Sequence, residues 1–267
     1  MTLFSEVDHP IDPVIRADIV LRLKAIEAEH DVRVLYACES GSRGWGFASP
    51  DSDYDVRFLY VPKLSWYLRI GLQRDVIEIP ISDVLDINGW ELRKALGLMK
   101  RGNATLIEWL DSPVVYAADP VFLAAIRDIA RKTWQPERSH HHYVHMARKN
   151  YRGYLRGDTV RLKKYLYVLR PLLATLWVEQ GRGVPPMRFQ ALVEGLIDDP
   201  ALRRAIDHLL LIKRAASETE YGQPMPELNA YIDRELTRLE AATAPELTRP
   251  DETLLDQLLY ETVLRLN

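Results

Sequence analysis

The sequence predicts an α+β fold, a small mixed-sheet core followed by a helical C-terminal domain. Three observations carry this expectation. Short extended runs alternate with helical segments only in the first part of the chain. From about Pro120 onward nearly all apolar spacing is helical. The chain also has 267 residues, 47% of them hydrophobic, enough to bury a substantial core in one or two domains.

The elements follow in order. Asp12 is placed to cap a first helix and Pro13 to sit at its first position, with Ile15, Ile19, Leu23 and Ile26 forming an apolar stripe. Residues 32–37 read as a strand that runs into the glycine-dense turn Glu39–Gly46. After an Asp/Ser/Pro-rich loop, residues 54–61 read as a second strand, in which Val56, Phe58 and Tyr60 alternate with Asp55, Arg57 and Leu59. Residues 75–81 and 84–87 are two short extended candidates separated by Ser82-Asp83, and residues 90–100 and 104–110 read as helices. Pattern alone leaves each strand pair open to parallel or antiparallel pairing. The boundary to the helical half falls between Ser112 and Pro120. Beyond it helices are expected over 121–133, 139–156, 159–178, 188–196, 200–218, 226–239 and 252–264, with Pro171 kinking the third.

Charge and composition narrow the function classes. The balance of 35 Lys plus Arg against 38 Asp plus Glu gives a net charge of −3. That excludes holding nucleic acid by bulk positive charge, though not by a local basic groove. No apolar run is long enough to span a bilayer, and the first residues lack the basic and apolar regions of a signal peptide. The lone Cys38 cannot form an internal disulfide, so the expected compartment is a reducing cytoplasm.

The chemistry concentrates in one stretch. Gly41-Ser42 lies just beyond the first strand, and Asp53 and Asp55 open the second. Residues two apart on a strand share a face, and two carboxylates so placed repel unless a cation lies between them. A divalent ion, Mg2+ or Mn2+, suits a few carboxylates combined with substrate phosphates. The Gly-Ser turn adds backbone N–H groups and a hydroxyl, as a triphosphate requires. Together these pieces describe handling of a nucleoside triphosphate.

Gly41-Ser42 with Asp53-Tyr54-Asp55 resembles the signature of the polymerase-beta-type nucleotidyltransferase superfamily. The longer stretch from Glu39 to Arg57 resembles the RNA-ligase-associated branch of predicted nucleotidyltransferases. The helix start Gly89-Trp90-Glu91-Leu92-Arg93-Lys94, the segment from Asn103 through Glu108-Trp109-Leu110-Asp111-Ser112-Pro113, and the run Lys163 to Pro171 match further segments of that branch. The likeness extends to about Tyr231; Ala104 departs from it, at a position where proline is expected.

The resemblance implies a catalytic domain over 1–115 and a helical domain over 116–267 that closes the nucleotide and acceptor cleft. It implies two-metal transfer of a nucleoside monophosphate from an NTP to an acceptor hydroxyl, with release of pyrophosphate. Asp53 and Asp55 would hold the nucleotide-side metal, and a third carboxylate would complete the set. Asp86 and Glu78 compete for that place; Asp86 is preferred because the superfamily's third acid often precedes a helix.

Gly41, Ser42 and Arg43 are expected at the phosphates, and Arg57 as a charge-balancing bridge to Asp53 and Asp55. Lys163, Tyr167 and Arg170, spaced four and three apart, would form one helix face over the nucleotide. Arg148, Lys149, Arg152 and Arg156 form a further basic patch. The acceptor favoured is RNA, through end repair or tRNA processing. The alternatives are a protein hydroxyl, as in an AMP-transferring antitoxin, or a catalytically inactive nucleotide-binding scaffold.

Overall fold

The computed structural model describes residues 11–81, 84–215, 221–241 and 251–266. The Ser82-Asp83 separator and the end of the 200–218 helix lie outside these residues. The chain divides into two compact units, each with its own interior. One gathers Pro10–Gly44, Asp53–Trp134 and Arg249–Asn267; the other contains Trp45–Ser52 and Gln135–Thr248.

The first unit opens with α1 (Pro13–His30), started by Asp12, whose carboxylate accepts from the Val14 and Ile15 N–H groups. The strand β1 (Val32–Glu39) leads into a single helical turn, α2 (Gly41–Trp45), within the stretch the sequence predicts as a glycine-dense turn. Then come β2 (Tyr54–Pro62), the short α3 (Leu64–Tyr67), β3 (Val76–Glu78) and β4 (Leu85–Glu91). The helices α4 (Leu92–Lys100) and α5 (Ala104–Leu110), the strand β5 (Val115–Ala118) and α6 (Pro120–Lys132) complete the succession before the second unit. The sheet order is β3-β4-β2-β1-β5. Only β2 and β4 pair in parallel; the other neighbours are antiparallel. The expected α+β class with a mixed sheet is therefore what the chain adopts.

Alternation along β2 sorts the two faces. Val56, Phe58 and Tyr60 join Ile87, Ala37 and the α1 stripe Ile19, Leu23 and Ile26 in one core. The helices α4, α5 and α6 pack against the strands as well, and Tyr36 donates its hydroxyl to the Trp109 carbonyl at 2.6 Å.

The expected helix over 90–100 begins two residues late. Gly89, Trp90 and Glu91 continue β4, registered against Phe58, Leu59 and Tyr60 of β2. Pairing with a buried neighbour outweighs local helical preference here. Gly89 is required: a Cβ there would meet the Phe58 ring at 2.2 Å. Glu91 ends the strand and caps α4, accepting from the N–H groups of Arg93 and Lys94 at 2.8 and 3.0 Å. Its carboxylate offsets the unfavourable cations in that first turn.

In the second unit α7 (Pro136–Tyr154) is followed by the two-residue strand β6 (Val160–Arg161) and by α8 (Lys164–Glu179). The expected helix over 159–178 thus starts later, because Val160 and Arg161 pair with β7 (Tyr221–Gly222). Pro171 lies within α8. The helices α9 (Phe189–Leu196), α10 (Pro200–Ala215) and α11 (Pro226–Ala241) complete this unit. α8 is its centre, packed by α7, α9 and α11. The last helix, α12 (Glu252–Leu266), belongs to the first unit and packs on α4 and α6. Ion pairs Lys100–Glu252 and Arg265–Asp119 hold it there.

No helix of the described residues is long and apolar enough to cross a membrane. Cys38 is fully buried in β1, and burial pushes its thiol up to about 12. At pH 8 its thiolate fraction is roughly a thousandfold below that of an unperturbed thiol. Alkylation of the native protein by iodoacetamide is expected to be slower by at least that factor than after unfolding in guanidinium, as followed by mass spectrometry.

Candidate nucleotide and metal site

The parallel pairing of β2 with β4 places Asp55 directly opposite Asp86. Registered neighbours on a sheet present their side chains to the same face. Between the two carboxylates lies Arg57, whose Nη2 stands 3.0 Å from Asp55 Oδ1 and 2.6 Å from Asp86 Oδ2. Its Nη1 donates to the backbone carbonyls of Val56 and Asp86. The expected bridge from Arg57 thus runs to Asp55 and Asp86. Burial is the largest influence on Asp55 and raises its pKa; Arg57 opposes this, while Asp86 and Asp53 add to it.

Glu78 stands apart. It registers against Asn88 at the sheet edge, about 7 Å further along the strands than Asp86. Its exposed carboxylate pairs with Arg74 at 2.6 Å and accepts from Asn88 Nδ2 at 3.4 Å. Asp53 is exposed just ahead of β2. Arg43 is buried, with its Nε donating to the Asp53 carbonyl at 3.2 Å and its guanidinium 3.9 Å above the Tyr54 ring. The residue after the Gly-Ser pair therefore braces the start of β2.

Gly41 has a physical reason to be glycine. Its φ is +54°, and a Cβ there would lie 1.9 Å from Asp55 Oδ2. The backbone of the turn stands directly against the carboxylate. Ser42, the next residue, is buried.

Glu39, to which the sequence assigned no role, fixes this corner. Its buried carboxylate accepts the Asp55 N–H at 2.7 Å and the Tyr116 hydroxyl, while the Ser40 N–H donates to the Asp55 carbonyl at 2.8 Å. Burial pushes the Glu39 carboxyl up to about 7, against the opposing hydrogen bonds from Tyr116 and the Asp55 N–H. A single acid at a strand end gives no local signal of this, because Tyr116 is contributed from another strand.

Lys163, Tyr167 and Arg170 belong to the helical unit. Lys163 occupies the position before α8. Tyr167 is half-buried, edge-on to Trp45 and Phe47 at 5.6 and 6.1 Å, with the Lys164 ammonium 4.8 Å from its ring centre. Arg170 is 1% exposed, stacks 4.8 Å from the Trp45 ring centre and donates to the Met187 carbonyl. Of the three, Arg170 is thus committed to the interior.

The same unit holds the Trp45–Ser52 segment that links the two halves of the signature. Phe47 packs edge-on against Phe189, and the buried Lys213 donates to Ser49 Oγ at 2.7 Å and Ser52 Oγ at 3.4 Å. Lys213 was not legible as a contributor, since its serine partners come from a distant part of the chain.

Among the described residues, no three His, Cys, Asp or Glu side chains are arranged to hold a metal ion. Two carboxylates already converge on one cationic nitrogen, however, and their all-oxygen character suits Mg2+. A magnesium site characteristically takes one or two carboxylates plus substrate phosphates, so the donor set fits such an ion.

The family described as the RNA repair pathway DNA polymerase beta family (RlaP) matches residues 15–261. The Bacillus subtilis (strain 168) protein YcgL is 45% identical over 247 residues, covering 92% of this chain and 95% of its own length. Among solved structures, a nucleotidyltransferase-like protein from Exiguobacterium sibiricum 255-15 shares 14% identity at a TM-score of 0.30, covering 92% of this chain and 80% of that one.

Proposed function

The chain belongs to the RNA repair pathway DNA polymerase beta family, and from that premise we propose that it is a metal-dependent nucleotidyltransferase. In this reading it moves a nucleoside monophosphate from an NTP to a hydroxyl of an RNA acceptor, in end repair or tRNA processing, and releases pyrophosphate. The observation that carries the reading is the registered pair Asp55 and Asp86 beside the Gly41 turn.

Asp53, Asp55 and Asp86 are the residues that would hold Mg2+ or Mn2+. When bound, such an ion neutralises the triphosphate and lowers the pKa of the acceptor hydroxyl. The chain's own groups do the rest. Glu39 fixes the backbone of Asp55, and Arg43 fixes that of Asp53. Gly41 admits close approach to Asp55, and the buried Ser42 beside it is assigned to the nucleotide's phosphates. Arg57 balances the paired carboxylates. Lys163 and Tyr167 are assigned to the nucleotide, whereas the burial of Arg170 makes it a support for Trp45. Asp86 is preferred over Glu78 because it lies opposite Asp55 and faces the same arginine. The reaction is assigned to the cytoplasm, which suits a chain with a single buried thiol.

The test supplies each of four α-labelled NTPs with Mg2+ or Mn2+ to the full chain, with total RNA and cell protein as separate acceptors. Metal-dependent label in RNA that is lost with Asp53→Asn/Asp55→Asn is the expected result. Label from ATP in a protein band instead would identify a protein AMP-transferase. Nucleotide binding with no transfer to either pool would indicate the inactive scaffold.

A further inference from the structure

A groove of about 360 Å³ lies in the sheet unit, lined in part by Trp66, Tyr67, Arg69, Arg93, Gly97 and Arg101. It sits beyond the Glu91 end of β4, whereas Asp86 lies near the start of that strand. Five residues of strand separate the two, roughly 17 Å.

One wall is α4. Arg93, Gly97 and Arg101 are spaced by four, so they follow one face of the helix and its last turn. A Cβ at Gly97 would meet only the Arg101 Nη1 at 3.5 Å, so the floor between the two arginines is bare backbone. The other wall is the segment after β2. Here the Arg93 guanidinium lies 4.7 Å from the centre of the Tyr67 ring and 5.9 Å from that of Trp66. Leu68, Ile70 and Leu72 are 74%, 107% and 104% exposed beside them.

Charge bookkeeping fixes the sign of the ligand. Of the two acids in the lining, Asp75 pairs with Lys94 at 3.0 Å, and Glu91 caps α4 while accepting the Tyr67 hydroxyl. Among the described residues Arg69, Arg93 and Arg101 have no carboxylate partner, and all three are exposed. Arginines distributed along a trough beside aromatic and apolar side chains offer cations to phosphates and flat or greasy surfaces to unstacked bases. A row of this kind also resolves the puzzle of a whole chain at net −3: positive charge need only be local.

We propose that this groove is a binding site for single-stranded RNA, remote from the Asp55–Asp86 pair. Binding here requires neither metal nor NTP, so it stands or falls separately from the reaction assigned to the acids.

Fluorescence anisotropy of a labelled mixed-sequence RNA 12-mer with the full-length protein, without metal or nucleotide, tests it. Arg69→Ala/Arg101→Ala is expected to raise Kd at least tenfold and to flatten the dependence of log K on log salt by about 1.4, since each phosphate contact on a single strand contributes about 0.7. Gly97→Gln, which fills the trough without adding charge or removing an arginine, is expected to weaken binding as strongly while preserving the thermal melt. A DNA strand of the same sequence that binds equally would support the site and widen its ligand to single strands of either sugar. The proposal is overturned if both groove variants bind RNA normally, if an acidic peptide competes as well as the oligonucleotide, or if duplex RNA is preferred.

Discussion

Asp55→Asn and Asp86→Asn are each expected to lower metal-dependent nucleotide transfer by on the order of a thousandfold, while Glu78→Gln changes it by less than about twofold. The contrast follows from register. Asp86 and Asp55 are opposite one another and share one arginine nitrogen, whereas Glu78 is exposed and engaged with Arg74. Single-turnover assays with saturating NTP measure the effect. Full activity in Asp86→Asn together with loss in Glu78→Gln would reverse the assignment.

Stability separates chemistry from folding in this series. The folded-state pKa of Asp55 is raised, chiefly by burial. Its contribution to stability is therefore fully present below the ordinary carboxylate range and is lost as pH climbs through the raised folded value. Asp55→Asn removes that pH dependence, so in the absence of metal the variant is expected to melt no lower than the unaltered chain at neutral pH. A variant that is both inactive and unfolded would carry no weight for catalysis, and the melt identifies it.

Gly41→Ala is expected to abolish transfer almost as completely, for a steric reason. The new methyl carbon would stand 1.9 Å from Asp55 Oδ2 on a backbone held at φ +54°. Strain at positive φ and overpacking together amount to about 3 kcal/mol. Relief requires displacing the turn or the carboxylate, and either disrupts the site. A double-mutant cycle separates the parts: in an Asp55→Ala background the contacts with the carboxylate are gone and only the Cβ stays close, at 3.3 Å, so little beyond the backbone strain of about 1 kcal/mol should remain. Equal urea-denaturation losses in both backgrounds would show that the carboxylate is not what excludes a side chain at Gly41.

The elements most legible in the sequence are those whose determinants are local. Asp12 and Pro13 start α1 within one turn of their own positions. The alternation Val56, Phe58, Tyr60 reads directly as a buried face. The Gly-Ser turn and paired aspartates were visible for the same reason, being close in sequence. The features with no local signal depend on partners far along the chain. The register of Asp86 with Asp55 exists only once β4 lies parallel to β2. Glu39 becomes a brace only through Tyr116, and Lys213 only through Ser49 and Ser52. The sequence starts α4 at Trp90 rather than Leu92 because Trp90 and Glu91 fit a helix locally as well as they fit a strand. The contact of Gly89 with Phe58, set by the sheet, decides between them.

Parallel pairing of β2 and β4 has a consequence for how this chain can diverge. The connection between the two strands includes β3, which pairs with β4, but the stretch from Lys63 to Arg74 ahead of it carries no part of the β2–β4 register. Insertions and deletions in that stretch, of odd or even length, leave Asp55 and Asp86 in phase. A single-residue indel inside β4 inverts the parity of everything beyond it, sending polar positions inward and apolar ones out. Drift in length should thus collect in the crossover, which also supplies Trp66 to Gln73 of the basic groove. The chain can remodel what it holds at that groove without disturbing the spacing of its acids.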